Sequence, residues 1–224
     1  MVCSIIEIKM KKLSYFLQKD PRIKAVWKFA KQKYQEANLP QHNWEHILRD
    51  LYRALVIAEA EKGVDFKILI PAVLLHDIGV TEGEYSQHEE IGSKIAKRML
   101  PKFGYSPREI KEIVHCIQSH GGKVKPTSIE AMILFDADRL EKAGAGGLFA
   151  LYRVQQELGI PLEVWIERAI RRVKKFRREG FYTKKAKEIC GDGFKETLEH
   201  LEKVQRGLQR RKDFLITEEK FCEG

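Results

Sequence analysis

Asparagine occurs only twice in the 224 residues, at Asn38 and Asn43. Asparagine is thermolabile, and charged residues make up 33% of the chain, a composition that fits a heat-adapted source rich in ion pairs. Long apolar runs are also missing. The longest, Ile68 to Leu75, is broken by Pro71 and falls far short of the ~20 residues that span a bilayer. Met1 to Met10 holds Ile5 and Ile6 but no extended apolar region and no small-residue cleavage site, so we expect no signal peptide, no membrane segment and a cytoplasmic location. The four cysteines, Cys3, Cys116, Cys190 and Cys222, have no CxxC spacing. That argues against a disulfide framework or zinc knuckle and for reduced thiols. Glycine and proline are sparse, at 16 and 7, and neither a linker nor a solenoid repeat appears. No alternating segment is long enough to form a strand.

What the chain does have is helical period, nearly everywhere. Ile23, Val26, Trp27, Ala30 and Tyr34 form one stripe over about 22–37, and Ile47, Leu51, Ala54, Leu55 and Ala58 another over about 44–62. The stretch 66–78 is apolar nearly all round and reads as a buried central helix, with Pro71 kinking it or marking a helix start. Helices are expected at about 87–102, 107–120, 128–142, 145–158, 161–179 and 184–211, with a loop at about 80–86. Ser106-Pro107 is a good helix opening. The fold class is all-α, a single-domain helical bundle.

Six of the seven histidines lie between His42 and His120. The most distinctive piece is Leu74-Leu75-His76-Asp77-Ile78-Gly79. There a buried apolar helix ends in two side chains whose burial is costly unless they are paired. A divalent cation would remove that cost by taking an imidazole nitrogen and a carboxylate oxygen. His46 and a carboxylate from Asp136 or Asp138 could complete the set, although one helix cannot turn both aspartates inward equally. Two imidazoles and two carboxylates suit Mn, Fe, Co, Ni or Zn better than Ca. The competing reading of His76-Asp77 is an ion pair capping a helix.

The order His46, His76-Asp77, Asp138 resembles the H…HD…D signature of the HD superfamily. The resemblance extends over about residues 25–150 and includes His42-Asn43-Trp44-Glu45-His46, Leu74 to Gly79, His88-Glu89-Glu90-Ile91-Gly92, Ile117 to His120 and Asp136 to Leu140. It is closest to the small bacterial and archaeal hydrolases of that superfamily. Asn43 and Glu141 stand where relatives often carry aspartate. The resemblance implies an HD-type helical bundle and a metal-dependent phosphohydrolase. It further implies His46, His76, Asp77 and Asp138 as ligands of a divalent metal (Mn, Fe, Co, Ni, Zn or Mg), with Asp77 orienting the attacking water. Asp136 then caps or orients a histidine, and His42 shares the face of His46 or caps its helix. His88 and His120 are candidates for a second metal or for phosphate contact. Arg49, one turn beyond His46, would clamp a substrate phosphate or pair with Asp50 or Glu45.

The expected organisation is an N-terminal extension over 1–21 and an HD metal-binding core over 22–150. C-terminal helices over 151–211 pack on that core, and a tail over 212–224 follows. The expected substrate is a small phosphorylated molecule, a nucleotide, attacked by a pyrophosphohydrolase or a nucleotidase. The alternative is a non-catalytic regulatory or nucleic-acid-binding HD module. The net charge of +9 draws polyanions in general. Through and before the basic stretch Arg168 to Lys187, however, Leu162, Trp165, Ile166, Ala169, Val173 and Phe176 recur at helical spacing, so the charges read as a solvated face. Nucleic acid is possible but not favoured, and the sequence says nothing of oligomeric state.

Overall fold

The computed structural model describes residues 13–83 and 85–222, with side chains to residue 211. Most of the expected N-terminal extension, the side chains of the expected tail, and Cys3 therefore lie outside the described residues. The architecture is all-α, and among the described residues there is no strand. The helices gather into two compact units. The first holds the chain to Leu140 together with Phe181–Lys187, and the second holds Glu141–Gly180 and everything from Glu188.

In the first unit α1 (Pro21–Ala37), α2 (Trp44–Ala58), α5 (Pro107–Ser119) and α6 (Ile129–Leu140) surround α3 (Phe66–Leu75). Every residue of α3 from Ile68 to Leu75 is buried, which is why it shows no polar stripe. Each such aliphatic side chain contributes roughly 1.5–3 kcal/mol on burial. The ends are set by polar groups. Asp20 caps α1 by accepting from the Arg22 amide (2.9 Å), Asn43 caps α2 by accepting from the His46 amide (3.0 Å), and Asp65 caps α3. Ser106 and Glu109 close a reciprocal capping box on α5.

Three stretches differ from expectation. The central helix stops at Leu75, because Asp77 has φ −102° and ψ 11° and turns the chain into a 3₁₀ segment, Ile78–Glu82. The supposed loop at 80–86 is thus largely 3₁₀ turns, Ile78–Glu82 and Tyr85–Gln87, leading into α4 (His88–Met99). In the second unit, α7 (Gly144–Leu158) and α8 (Leu162–Glu179) pack with a long C-terminal helix. The continuous helix expected over 184–211 is interrupted. Gly191 takes φ +47°, α9 (Lys184–Cys190) ends there, and α10 restarts as Gly193–Cys222.

Candidate metal centre

Gly79 brings the two halves of the centre together. A Cβ at Gly79 would lie 2.1 Å from the His88 carbonyl oxygen and 2.7 Å from the Gly92 amide nitrogen. Only glycine lets the turn after Asp77 sit against the start of α4. That contact sets His88 beside Asp77.

The histidines are oriented in one way. His76 Nδ1 donates to the Val73 carbonyl (2.8 Å), His88 Nδ1 to Tyr85 (2.7 Å) and His120 Nδ1 to Ile117 (2.7 Å). Each bond reaches three residues back and fixes the tautomer, so that Nε2 presents its lone pair. All three Nε2 atoms converge on Asp77. Its Oδ2 lies 3.1 Å from His46 Nε2, 3.1 Å from His76 Nε2 and 3.7 Å from His42 Nε2. Its Oδ1 lies 3.4 Å from His88 Nε2 and 3.2 Å from His120 Nε2. His76 Nε2 is fully buried and makes no hydrogen bond.

Two groups of donors result. His46, Asp50, His76 and Asp138 form one, and Asp77, His88 and His120 the other, with donor atoms in each group within 4.8 Å of one another. The spacing fits a cation. Two ligands at ~2.1 Å and a right angle stand about 3.0 Å apart, close to the 3.1 Å between the Nε2 atoms of His88 and His120. With both Nδ1 protons donated elsewhere, those two nitrogens face each other with only lone pairs when both rings are neutral, an arrangement that a proton or a cation relieves. A proton meets that need in part. Burial lowers the His120 basicity, but the Asp77 hydrogen bond and the charges of Asp77 and Asp138 reverse this and hold it up at about 9. Burial, helped by the neighbouring His120, outweighs the pull of Asp77 and pushes His88 down. Burial would also raise Asp77, yet His76, His42, His120 and His46 hold its carboxyl well below the usual range. Asp77 is therefore an anion shared by five imidazoles.

The sequence-derived residues fall in different places. His46, His76, Asp77, Asp138, His88 and His120 belong to the two groups, and His42 sits at their edge. Asp136 does not. Its carboxylate accepts from the Tyr182 amide (3.0 Å), the Thr183 amide (2.7 Å) and the Thr183 hydroxyl (2.6 Å). It anchors the backbone that leads into α9. Arg49 is half-buried on α2, within a turn of both His46 and Asp50. His115 is structural: its Nε2 accepts from the Thr127 amide (3.1 Å).

Sequence reasoning passed over three contributors. Asp50 Oδ2 lies 3.3 Å from His46 Nε2 and 3.6 Å from His76 Nε2, while its Oδ1 accepts from Arg53 (2.8 Å). Its signal was the i,i+4 spacing from His46. Tyr85 holds its ring 5.3 Å from His42 and 5.5 Å from His88. Lys123 donates to the Ser86 carbonyl (2.9 Å) and to Glu89 (2.8 Å), joining the segments at 80–86 and 121–127. Burial would raise Glu89, but Lys123 holds it down as the anion.

Residues 43–143 match the family model described as HD domain. A ribonuclease Y from Finegoldia magna is 34% identical over 89 residues, which is 39% of this chain and 16% of that protein. A ribonuclease Y from a Sulfurovum species is 34% identical over 116 residues, 51% of this chain and 21% of that protein. The chain thus spans about a fifth or less of the length of these curated relatives. Among solved structures, a predicted HD superfamily hydrolase from an uncultured Thermotogales bacterium is 28% identical with a TM-score of 0.60, covering 88% of this chain and 98% of that one. Bacillus subtilis YpgQ, solved in complex with ADP, is 20% identical with a TM-score of 0.60, covering 83% of this chain and 94% of its own. At that identity it speaks for the fold.

Proposed function

Residues 43–143 match the HD-domain family model, and on that premise we propose that the chain is a metal-dependent phosphohydrolase acting on a small phosphorylated substrate, a nucleotide. One observation carries the reading: the buried Asp77 carboxylate has imidazole nitrogens at 3.1–3.4 Å on both of its oxygens. His46, His76, Asp77 and Asp138, joined by Asp50, would hold one divalent cation, and Asp77, His88 and His120 a second. Bound there, a divalent cation acidifies a water and polarises a phosphoryl oxygen.

The chain's own residues supply the rest. Asp77, kept ionised, accepts a hydrogen bond from the attacking water and sets its direction. His42, 3.7 Å from the same carboxylate, helps hold that anion. Arg49, on the helix that presents His46, pairs with a phosphate oxygen. Tyr85 borders His42 and His88 and shapes the entrance. The complete set of ligand types favours turnover over a non-catalytic module. Within the nucleotides, pyrophosphohydrolysis of triphosphates is the first reading and nucleotidase action the second. The ribonuclease Y relatives add phosphodiesters to the classes worth assaying.

The test is a product assay on metal-stripped protein reloaded with Mn²⁺. Nucleoside mono- and triphosphates and a dinucleotide are supplied; phosphate and pyrophosphate are measured separately, and nucleoside and monophosphate released from the dinucleotide by chromatography, with Asp77→Ala as control. We expect metal-dependent pyrophosphate release that Asp77→Ala lowers by at least about 10³-fold. Phosphate from monophosphates would assign a nucleotidase instead. Absence of turnover on the whole panel with several metals would overturn the hydrolase reading.

A further inference from the structure

His46 is held differently from the other imidazoles of the centre. His76, His88 and His120 each turn Nδ1 to a backbone carbonyl three residues back, at 2.7–2.8 Å. A carbonyl only accepts, so it supports one tautomer, with the proton on Nδ1. His46 Nδ1 instead faces a side-chain amide, with Gln41 Nε2 at 3.5 Å. Gln41 is fully buried in the bend between α1 and α2, two residues before the Asn43 cap. An amide carries donors at one end and an acceptor at the other, and a half-turn about its last bond exchanges them. Gln41 is therefore a partner for either tautomer of His46. The 3.5 Å contact is at the outer limit of a hydrogen bond, which suits a group that turns.

Each tautomer has a use. With its proton on Nε2, His46 donates to Asp77 Oδ2 at 3.1 Å, with Asp50 Oδ2 3.3 Å from the same nitrogen. Nδ1 then accepts from the Gln41 amide nitrogen. Asp50 and Asp77 are both buried, and without a cation between them a nearby donor offsets part of the cost of their charge. With the proton on Nδ1, the ring donates to Gln41 Oε1, and Nε2 turns a lone pair toward a cation. The ring is neutral in both forms. One proton leaves Nε2, one arrives at Nδ1, and the amide reverses.

We propose that Gln41 is the positioning residue of His46, and that its amide reverses when a cation binds, switching His46 from the tautomer that donates to Asp77 to the one that coordinates. His76, His88 and His120 have no such choice, because their carbonyl partners belong to the backbone. The two sets of histidines then divide the work: three rings stand ready for a cation, and His46 holds the Asp77 carboxylate until one arrives. The role of Gln41 rests on the cation sites of the proposed function but not on turnover.

The test is nitrogen NMR of isotope-labelled histidine side chains in the 224-residue chain, with and without Zn²⁺, which is diamagnetic. The His46 signals are identified by their loss in His46→Asn. Wild type should carry the His46 proton on Nε2 without Zn²⁺ and on Nδ1 with it, while His76 keeps its proton on Nδ1 throughout. Gln41→Glu, whose carboxylate only accepts, should hold His46 in the Nδ1–H form under both conditions. Gln41→Met keeps the length and loses both polar ends. It should weaken Zn²⁺ binding by about 10- to 100-fold in isothermal titration, and Gln41→Glu should restore the affinity. The wild-type spectra need no variant to fold, and circular dichroism checks the variants. A His46 proton already on Nδ1 without metal, or one that stays on Nε2 when Zn²⁺ binds, would overturn the switch. So would equal Zn²⁺ affinity in wild type and a folded Gln41→Met. A wild type that binds no Zn²⁺ would overturn the cation sites and this role together, whereas Zn²⁺ binding with the tautomer change but no turnover would sink only the hydrolase reading.

Discussion

Asp50 is the residue whose role separates a metal centre from a buried polar network. Its Oδ2 faces His46 and His76, and its Oδ1 takes the Arg53 guanidinium. If it helps hold a cation, Asp50→Asn should weaken Mn²⁺ binding by about 10- to 100-fold, as loss of a ligand or its support does. Arg53→Gln should do much less. Isothermal titration of both variants checks this, and equal effects would make Asp50 a partner of Arg53 alone. The sequence made the histidines legible because His76-Asp77 sits at the end of an apolar helix, where unpaired polar groups are costly. Asp50 was read only as part of a polar stripe with Arg49 and Arg53. On a helix every i,i+4 pair shares a face, and nothing local says whether that face meets solvent or a buried centre. Asp136 and Asp138 show the reverse limit. Two residues apart, they stood as rivals until the backbone of Tyr182 and Thr183, more than forty residues along, was seen to occupy Asp136.

Among the elements, the turn Ile78–Glu82 and the start of α4 matter most, because they carry Asp77 and His88 to each other. Gly79→Ala would push a Cβ to 2.1 Å from the His88 carbonyl oxygen, a backbone atom that cannot swing away. Gly92→Ala would meet Gly79 N at 3.4 Å, an ordinary if tight contact. We therefore expect Gly79→Ala to destabilise by about 1–3 kcal/mol and to weaken metal binding, and Gly92→Ala to do distinctly less. Thermal melts with and without Mn²⁺ distinguish them. Helix existence was legible throughout, since the buried stripes of α1, α2 and α5 have strong period. Helix ends were less so. Asp77 leaves the helical region two residues before the close contact of Gly79 with α4, and Gly191 breaks 184–211 at one residue that periodicity does not weigh. The 3₁₀ turns at 78–87 are short and lack the repeat that a helix-period reading needs.

At the scale of the whole molecule, the donors come from residues spread between His46 and Asp138, on or beside α2, α3, α4, α5 and α6. No such site exists in the unfolded chain, so cation binding and folding of the first unit are linked. Among the described residues no helix is long and apolar enough to cross a membrane. The central claim is that Asp77 joins two cation sites. Its most direct test is metal content by mass spectrometry on the 224-residue chain, stripped, reloaded with Mn²⁺ and desalted. The account predicts about two ions per chain in the wild type and about one when His88→Ala and His120→Ala are combined, with both lost in Asp77→Ala. A wild type that retains no more metal than Asp77→Ala would contradict it.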